Sequence, residues 1–146
     1  MRTPASVAGH PVHPMLVPIP IGLWLFSLVC DLLFVFGTGV SLWTTLAFYT
    51  MIGGIVGAAL AAIPGFIDML SLSGSRKRIA LVHMALNLVV IALYAFNVGL
   101  RIDGTSTAGL PVGLSVAAVA LLALSGWLGG HLVYVYRVGV GVEDRP

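Results

Sequence analysis

Residues 15–36, "MLVPIPIGLWLFSLVCDLLFVF", form an apolar run interrupted by a single charged residue. A helix needs about 20 predominantly apolar residues to cross the hydrocarbon core of a bilayer, and this run meets that length. A signal peptide is the alternative interpretation, but its apolar core is typically about 7–15 residues long and precedes a small-residue cleavage site. The run is longer and no such site follows it, so we interpret it as a membrane-spanning helix.

The composition supports the same conclusion for the whole chain. Of its 146 residues, 59% are hydrophobic and 8% are charged, with a mean hydropathy of +1.08. Soluble domains average about 25% charged residues, so this chain cannot cover a water-facing surface. The sequence therefore predicts an integral membrane protein forming a single domain over residues 1–146. Cys30 is the single cysteine, which excludes a disulfide within one chain.

Four segments are long and apolar enough to span: residues 15–36, 42–67, 79–100 and 111–136. The connections "GTGVS", "SLSGSRKR" and "RIDGTSTAG" are short and rich in turn residues. Short connections make successive helices antiparallel neighbours, so we predict an all-α, up-down four-helix bundle. No sequence repeat is strong enough to indicate duplicated halves.

The basic residues predict the orientation. With four spans, both termini and the middle connection share one side of the membrane, and six of the seven basic residues fall there: Arg2, Arg76, Lys77, Arg78, Arg137 and Arg145. Arg101 falls on the other side. Basic residues favour the cytoplasmic side, so we expect a bacterial inner-membrane protein with both termini in the cytoplasm. The excess of positive charge reflects this topology and indicates no nucleic-acid partner.

Small residues recur at helical spacing in "MIGGIVGAALAAIPG" (51–65) and "SGWLGG" (125–130). Such residues let helix backbones approach closely in lipid. We expect them to serve packing within the bundle, and a homodimer interface is the alternative.

Metal-competent and proton-accepting side chains are concentrated toward the side of the termini: His10, His13, Asp68, His83 and His131. His83 and His131 each lie about 8 to 9 Å inward from a basic anchor by helical rise, so they share a depth. His13 enters slightly shallower. Asn87, one turn after His83, is placed to hydrogen-bond to this site or to a neighbouring helix. Because polar groups in a bundle are costly, the layer predicts a functional site.

Two further features of the sequence concern residues around this layer. In "HPVHP" each histidine precedes a proline, which disfavours the α region and predicts an extended, stiff segment that presents His10 and His13. Asp31 lies about 25 Å further along the first span, near the opposite surface. We expect it to be an interfacial residue paired with Arg101, with a role in a proton path as the alternative.

The motifs "GHPVHPMLVPIPIGLW" (9–24), "IPGFIDML" (63–70), "HMALN" (83–87) and "WLGGHLVYVYRVGV" (127–140) occur in this order. In these motifs the chain resembles a bacterial four-helix membrane family known as domain of unknown function 2231, over about residues 9–142. The family has no settled activity. The resemblance further suggests a loose kinship in architecture with membrane cytochrome b bundles, which hold haem between histidines and place histidine pairs toward both faces. Here the opposite half has no histidine.

Three functions are compatible with these residues. The first is electron transfer by one haem b, bound by His83 and His131, with His13 as the substitute ligand; a redox partner protein or a quinone would exchange the electron. The second is a zinc, copper or iron site built from His10, His13, Asp68, His83 and His131. The third is a non-catalytic membrane subunit whose histidines bond between helices. Whether the protein is an enzyme stays open, although the motifs of serine hydrolases, zinc proteases and P-loops are missing.

Overall fold

A computed structural model describes residues 3–102 and 108–140 of the chain. Four helices in it are long and apolar enough to cross a membrane: Val12–Gly37, Ser41–Leu70, Gly74–Ile102 and Leu110–Val135. The predicted all-α membrane fold is thus confirmed, and each span agrees with its predicted range to within a few residues. Arg2 and Arg145, which contributed to the predicted orientation, lie outside the described residues.

A short hairpin precedes the first span. Strands β1 (Ser6–Val7) and β2 (His10–Pro11) pair antiparallel around Ala8 and Gly9, whose φ values of 50° and 81° are those that a tight two-residue hairpin turn requires. Helices α1 (Val12–Leu16) and α2 (Pro18–Leu33) then follow, separated by Val17 and joined by the Val17 N–H, which donates to the His13 carbonyl. A π-helical turn, Phe34–Thr38, ends the first span.

The predicted extended conformation of "HPVHP" is correct for His10 and wrong for His13. His13 is the second residue of α1 and Pro14 is the third. Proline is tolerated in the first turn of a helix because the N–H groups there have no partner within the helix. This tolerance outweighed the preference of a residue before proline for extended conformations.

The remaining helices are α3 (Ser41–Leu70), α4 (Gly74–Ile102) and α5 (Leu110–Gly130), followed by the π-helical turn His131–Val135. Helix α4 begins five residues before the predicted span, so the basic residues 76–78 belong to its first turns. The most extensive helix contacts are between α2 and α3 and between α4 and α5. Smaller contacts between α3 and α4 and between α2 and α5 complete the ring of four helices. Helices α2 and α4 therefore face each other diagonally across the bundle.

The centre of the bundle is a buried cluster of apolar side chains contributed by all four spans: Trp24, Met51, Val90, Tyr94, Ala118 and Leu122. Within it the rings of Trp24 and Tyr94 stack, with centroids 4.6 Å apart and planes 8° from parallel. The Trp24 Nε1–H donates to the Met51 carbonyl at 3.3 Å. This stack fixes the approach of α2 to α4 across the bundle axis.

The glycines of α3 are used mainly for packing within the bundle, as expected. A Cβ at Gly54 would overlap the Trp24 ring, and one at Gly57 would lie 3.2 Å from Ile19. In "SGWLGG", Gly129 faces His83 closely, whereas a Cβ at Gly126 would meet nothing within 4 Å. Only part of the second motif therefore serves contact between the described helices.

Asp31 and Arg101 form the predicted pair, and they form it deep in the protein. The Arg101 Nη1 and Nη2 donate to the two Asp31 oxygens at 2.8 Å each, and the two side chains are 3% and 0% exposed respectively. Asn97 accepts from the Arg101 Nε at 3.0 Å, and the Ser115 hydroxyl donates to Asp31 at 3.2 Å. This network ties α2, α4 and α5 together in the half of the bundle away from the termini.

Candidate functional site

A cavity of about 670 Å³ lies between the four spans, in the half of the bundle that holds both ends of the described chain. Its wall is mainly apolar, and the polar residues that line it are few: Thr3, His13, Asp68, His83, Asn87 and Ser125. Segments from both ends of the described chain, including Pro11 and Gly139, also contribute to the wall. A concave apolar site with a few convergent polar groups is the form that ligand and cofactor sites take.

His13 lies in this wall on α1, with its imidazole fixed against α3. Its Nδ1 is 2.7 Å from the Ala61 carbonyl oxygen, which can only accept, so Nδ1 carries the proton and donates. A Cβ at Gly65, one turn further along α3, would lie 2.7 Å from the same Nδ1. Glycine at this position makes the room that the ring occupies. The other ring nitrogen, Nε2, has no hydrogen bond from the described residues.

His83 is held in the same way on the other side of the cavity. Its Nδ1 donates to the Ser125 carbonyl at 2.8 Å and lies 2.9 Å from the Ser125 hydroxyl. A Cβ at Gly129, one turn after Ser125, would lie 3.1 Å from the His83 Cε1. The second nitrogen, Nε2, accepts from the Asn87 Nδ2 at 3.1 Å, and the same amide nitrogen also donates to the His83 carbonyl.

The two imidazoles approach each other across the bundle. Their ring centroids are 6.2 Å apart and their planes are nearly perpendicular, at 88°. In metal sites a ligand histidine commonly donates one ring N–H to a carbonyl, which fixes the tautomer and leaves the other nitrogen for the metal. In both His13 and His83 the Nδ1–H donates to a backbone carbonyl in this way. The Nε2 of His83, however, accepts a hydrogen bond from Asn87.

The other residues of the predicted layer are placed differently. Asp68 lines the cavity and accepts from the Ala5 N–H at 2.8 Å, which holds the N-terminal segment on α3. His131 is not part of the cavity wall, and its ring packs edge-on against Tyr136 with centroids 5.3 Å apart. His10 is exposed, and its Nδ1 donates to the Ala8 carbonyl at 3.0 Å. Within residues 3–102 and 108–140, no three His, Cys, Asp or Glu side chains are grouped so as to hold a metal ion.

Sequence reasoning missed the partners that orient the two histidines. The Ala61 and Ser125 carbonyls carry no sequence signal, because every residue has a carbonyl. Gly65 and Gly129 did carry one, since each lies in a small-residue motif, but a motif of this kind does not say which side chain fills the space.

The protein is a polytopic membrane protein, because four of its helices are long and apolar enough to span a bilayer. An internal cavity lies between these helices. A family model described as "Predicted membrane protein (DUF2231)" matches residues 9–142, and the chain belongs to that family. No curated protein and no solved structure matches the chain significantly.

Proposed function

We propose that the protein binds one haem b between His13 and His83 and acts in electron transfer within the membrane. The observation that carries the proposal is the pair of imidazoles, each anchored through Nδ1 to a carbonyl, at a centroid separation of 6.2 Å beside the cavity. Two imidazoles bound to opposite sides of one metal ion have centroids about 6 Å apart, because a metal–nitrogen bond is about 2.0–2.1 Å and the ring centre lies about 1.1 Å further.

The number of available ligands favours haem over a bare metal ion. A structural zinc site uses four protein ligands and a catalytic one about three. The cavity offers two histidines and Asp68, and among the described residues no three such side chains are grouped so as to hold a metal ion. Haem iron is already bound by the four porphyrin nitrogens, so it needs only axial ligands from the protein. A cavity of about 670 Å³ also lies in the range of about 300–1,000 Å³ that ligand pockets occupy.

This proposal replaces His131 by His13 in the ligand pair, because His131 packs on Tyr136 outside the cavity wall. His13 would present an open Nε2, whereas the Asn87 amide would have to leave the His83 Nε2 before that nitrogen could bind iron. Haem iron supplies a one-electron redox couple whose potential depends on the axial ligands and the polarity around it. A redox partner protein or a quinone as the electron donor or acceptor belongs to the same proposal.

A second candidate is a non-catalytic membrane subunit, and the same bonds support it. The His13 bond to Ala61 joins α1 to α3, and the His83 bond to Ser125 joins α4 to α5. Interhelical hydrogen bonds of this kind stabilise membrane bundles by about 0.6–2 kcal/mol each. In this case the cavity would have no cofactor to hold.

Absorption spectroscopy of protein purified from haem-supplied cells tests the proposal. We expect one haem per chain in the wild type and in His10→Ala and His131→Ala, and loss of most haem in His13→Ala and His83→Ala. The first two variants are matched controls, since they remove a histidine that does not line the cavity. Colourless wild-type protein, or equal haem content in all four variants, would refute the proposal. Stoichiometric zinc or copper in colourless protein would instead indicate a bare-metal site.

A further inference from the structure

Residues that meet across the bundle axis are separated by the same number of positions in the sequence. His13 faces His83, Trp24 stacks on Tyr94, and Asp31 pairs with Arg101. The second member of each pair follows the first by 70 residues. Three different contacts, one at each depth of the bundle, thus relate the first span to the third at a single offset.

The second and fourth spans show a corresponding relation at an offset of 64 residues. The Ala61 carbonyl accepts from His13 and the Ser125 carbonyl accepts from His83, and Gly65 and Gly129 make room for these two rings. The carbonyl pair and the glycine pair both have the offset of 64, and the two histidines have the offset of 70. Each half therefore contains the same unit: a histidine, a carbonyl that fixes it, and a glycine one turn later.

The same relation recurs at the far end of the bundle. The Ser27 hydroxyl donates to the Ala47 carbonyl at 3.1 Å, and the Asn97 Nδ2 donates to the Pro111 carbonyl at 2.8 Å. Position 97 follows 27 by 70 residues, and position 111 follows 47 by 64. Both donors are fully buried, so each half repeats a buried bond between its two helices there as well.

The cavity wall follows the relation too. Every lining residue from Leu122 to Val133 has a counterpart 64 positions earlier that also lines the cavity. Among these pairs are Ala58 with Leu122, Ala62 with Gly126, and Met69 with Val133. On the first and third spans, Val17 and Asn87 are an equivalent pair, and both line the cavity.

We infer that the chain consists of two copies of one helix hairpin related by a pseudo-two-fold axis along the membrane normal, and that the cavity is a ligand site on this axis. Each half supplies one imidazole, so the ligand presents two equivalent faces, as a planar macrocycle with a central metal does. The identity of the ligand rests on the proposed function, whereas the internal symmetry rests on the contacts alone.

The two halves differ where symmetry predicts a second amide. His83 Nε2 accepts a hydrogen bond from Asn87, but the position equivalent to Asn87 is Val17. If the halves are equivalent, an asparagine at position 17 reaches the Nε2 of His13 just as Asn87 reaches that of His83. Position 17 is one turn after His13, as Asn87 is one turn after His83, so the contact forms only if both rings present Nε2 to the following turn in the same orientation.

Moving the amide from one half to the other tests the inference. We compare Asn87→Val with the double variants Val17→Asn/Asn87→Val and Ile21→Asn/Asn87→Val, in haem-free protein with ¹⁵N-labelled histidine. Ile21 also lines the cavity but lies one turn away from Val17, so its variant is the matched control. The Nε2 resonance of His83 should lose its hydrogen-bonded shift in all three proteins. The Nε2 resonance of His13 should gain that shift only when asparagine occupies position 17.

Thermal unfolding supplies a second readout. We expect Asn87→Val to lower the unfolding midpoint by about 2–4 °C, the effect of about 1 kcal/mol in a domain of this size, and Val17→Asn to restore most of it. If the His13 resonance does not change, or changes equally with asparagine at position 21, the inference is overturned. Failure of the wild type to bind haem, together with the expected shift at His13, would refute the proposed cofactor and leave the internal symmetry supported.

Discussion

At the scale of single residues, the site depends on glycines that have no chemistry of their own. An alanine Cβ at Gly65 would lie 2.7 Å from the His13 Nδ1, and one at Gly129 would lie 3.1 Å from the His83 Cε1. The first distance is shorter than van der Waals contact allows, so the ring must move and its bond to Ala61 must lengthen. The second requires only a small adjustment.

We therefore predict that Gly65→Ala destabilises the protein more than Gly129→Ala does. Overpacking of this kind costs about 1–3 kcal/mol, which corresponds to a lower midpoint of thermal unfolding in detergent. Gly22→Ala is the control, because a Cβ there meets nothing within 4 Å. Equal midpoints for Gly65→Ala and Gly22→Ala would show that His13 does not occupy the space beside Gly65.

Tyr94 gives a prediction of the opposite sign. Its side chain is 0% exposed, and its hydroxyl has no hydrogen-bond partner among the described residues. An unsatisfied buried polar group costs about 1–3 kcal/mol, whereas the ring contributes through its stack on Trp24. Tyr94→Phe keeps the ring and removes the hydroxyl, so we expect a higher unfolding midpoint. A lower midpoint would mean that the hydroxyl is bonded to an internal water.

At the scale of the helices, the Asp31–Arg101 pair holds α2 to α4 in the apolar interior. Breaking a buried ion pair by removing one partner costs about 3–5 kcal/mol, because the remaining charge is left uncompensated. We expect Arg101→Met to lower the unfolding midpoint strongly and Asp31→Asn/Arg101→Met to recover much of the loss. Arg78→Met, which removes an exposed charge at the start of α4, should have little effect. A stable Arg101→Met protein would contradict the burial of the pair.

At the scale of the whole molecule, the sequence predicted the spans and the bundle well, because the bilayer alone sets the length and hydropathy that a spanning helix requires. The candidate site was predicted by depth, and depth does not specify which way a side chain points around its helix. His131 follows Ser125 by six residues, a rotation of about 240° at about 100° per residue, so it leaves the face that Ser125 presents to the cavity. His13 lines the cavity together with His83, but the sequence predicted the wrong backbone conformation for it.

The internal symmetry could not be predicted from the sequence because the two halves differ at most equivalent positions. Residues 12–31 and 82–101 are identical at six of their 20 equivalent positions, those of Val12, His13, Leu16, Ile21, Leu23 and Phe26. Apolar residues are interchangeable in lipid, so most equivalent positions have diverged while keeping their burial. The offsets of 70 and 64 residues differ because 15 residues separate Asp31 from Ala47, whereas nine separate the equivalent Arg101 and Pro111. No single period therefore runs through the sequence.

The orientation of this symmetric unit decides which compartment the cavity faces, since the cavity lies in the half of the bundle that holds both ends of the described chain. Basic residues near the membrane favour the cytoplasm. Because Arg101 is neutralised by its buried pair with Asp31, the excess of free positive charge on the side of the termini is larger than the count of basic residues suggests. We predict that alkaline phosphatase, which is active only after export, is active when fused after Ile102 and inactive when fused after Pro146. Activity at Pro146 together with inactivity at Ile102 would reverse the orientation and open the site to the other side of the membrane.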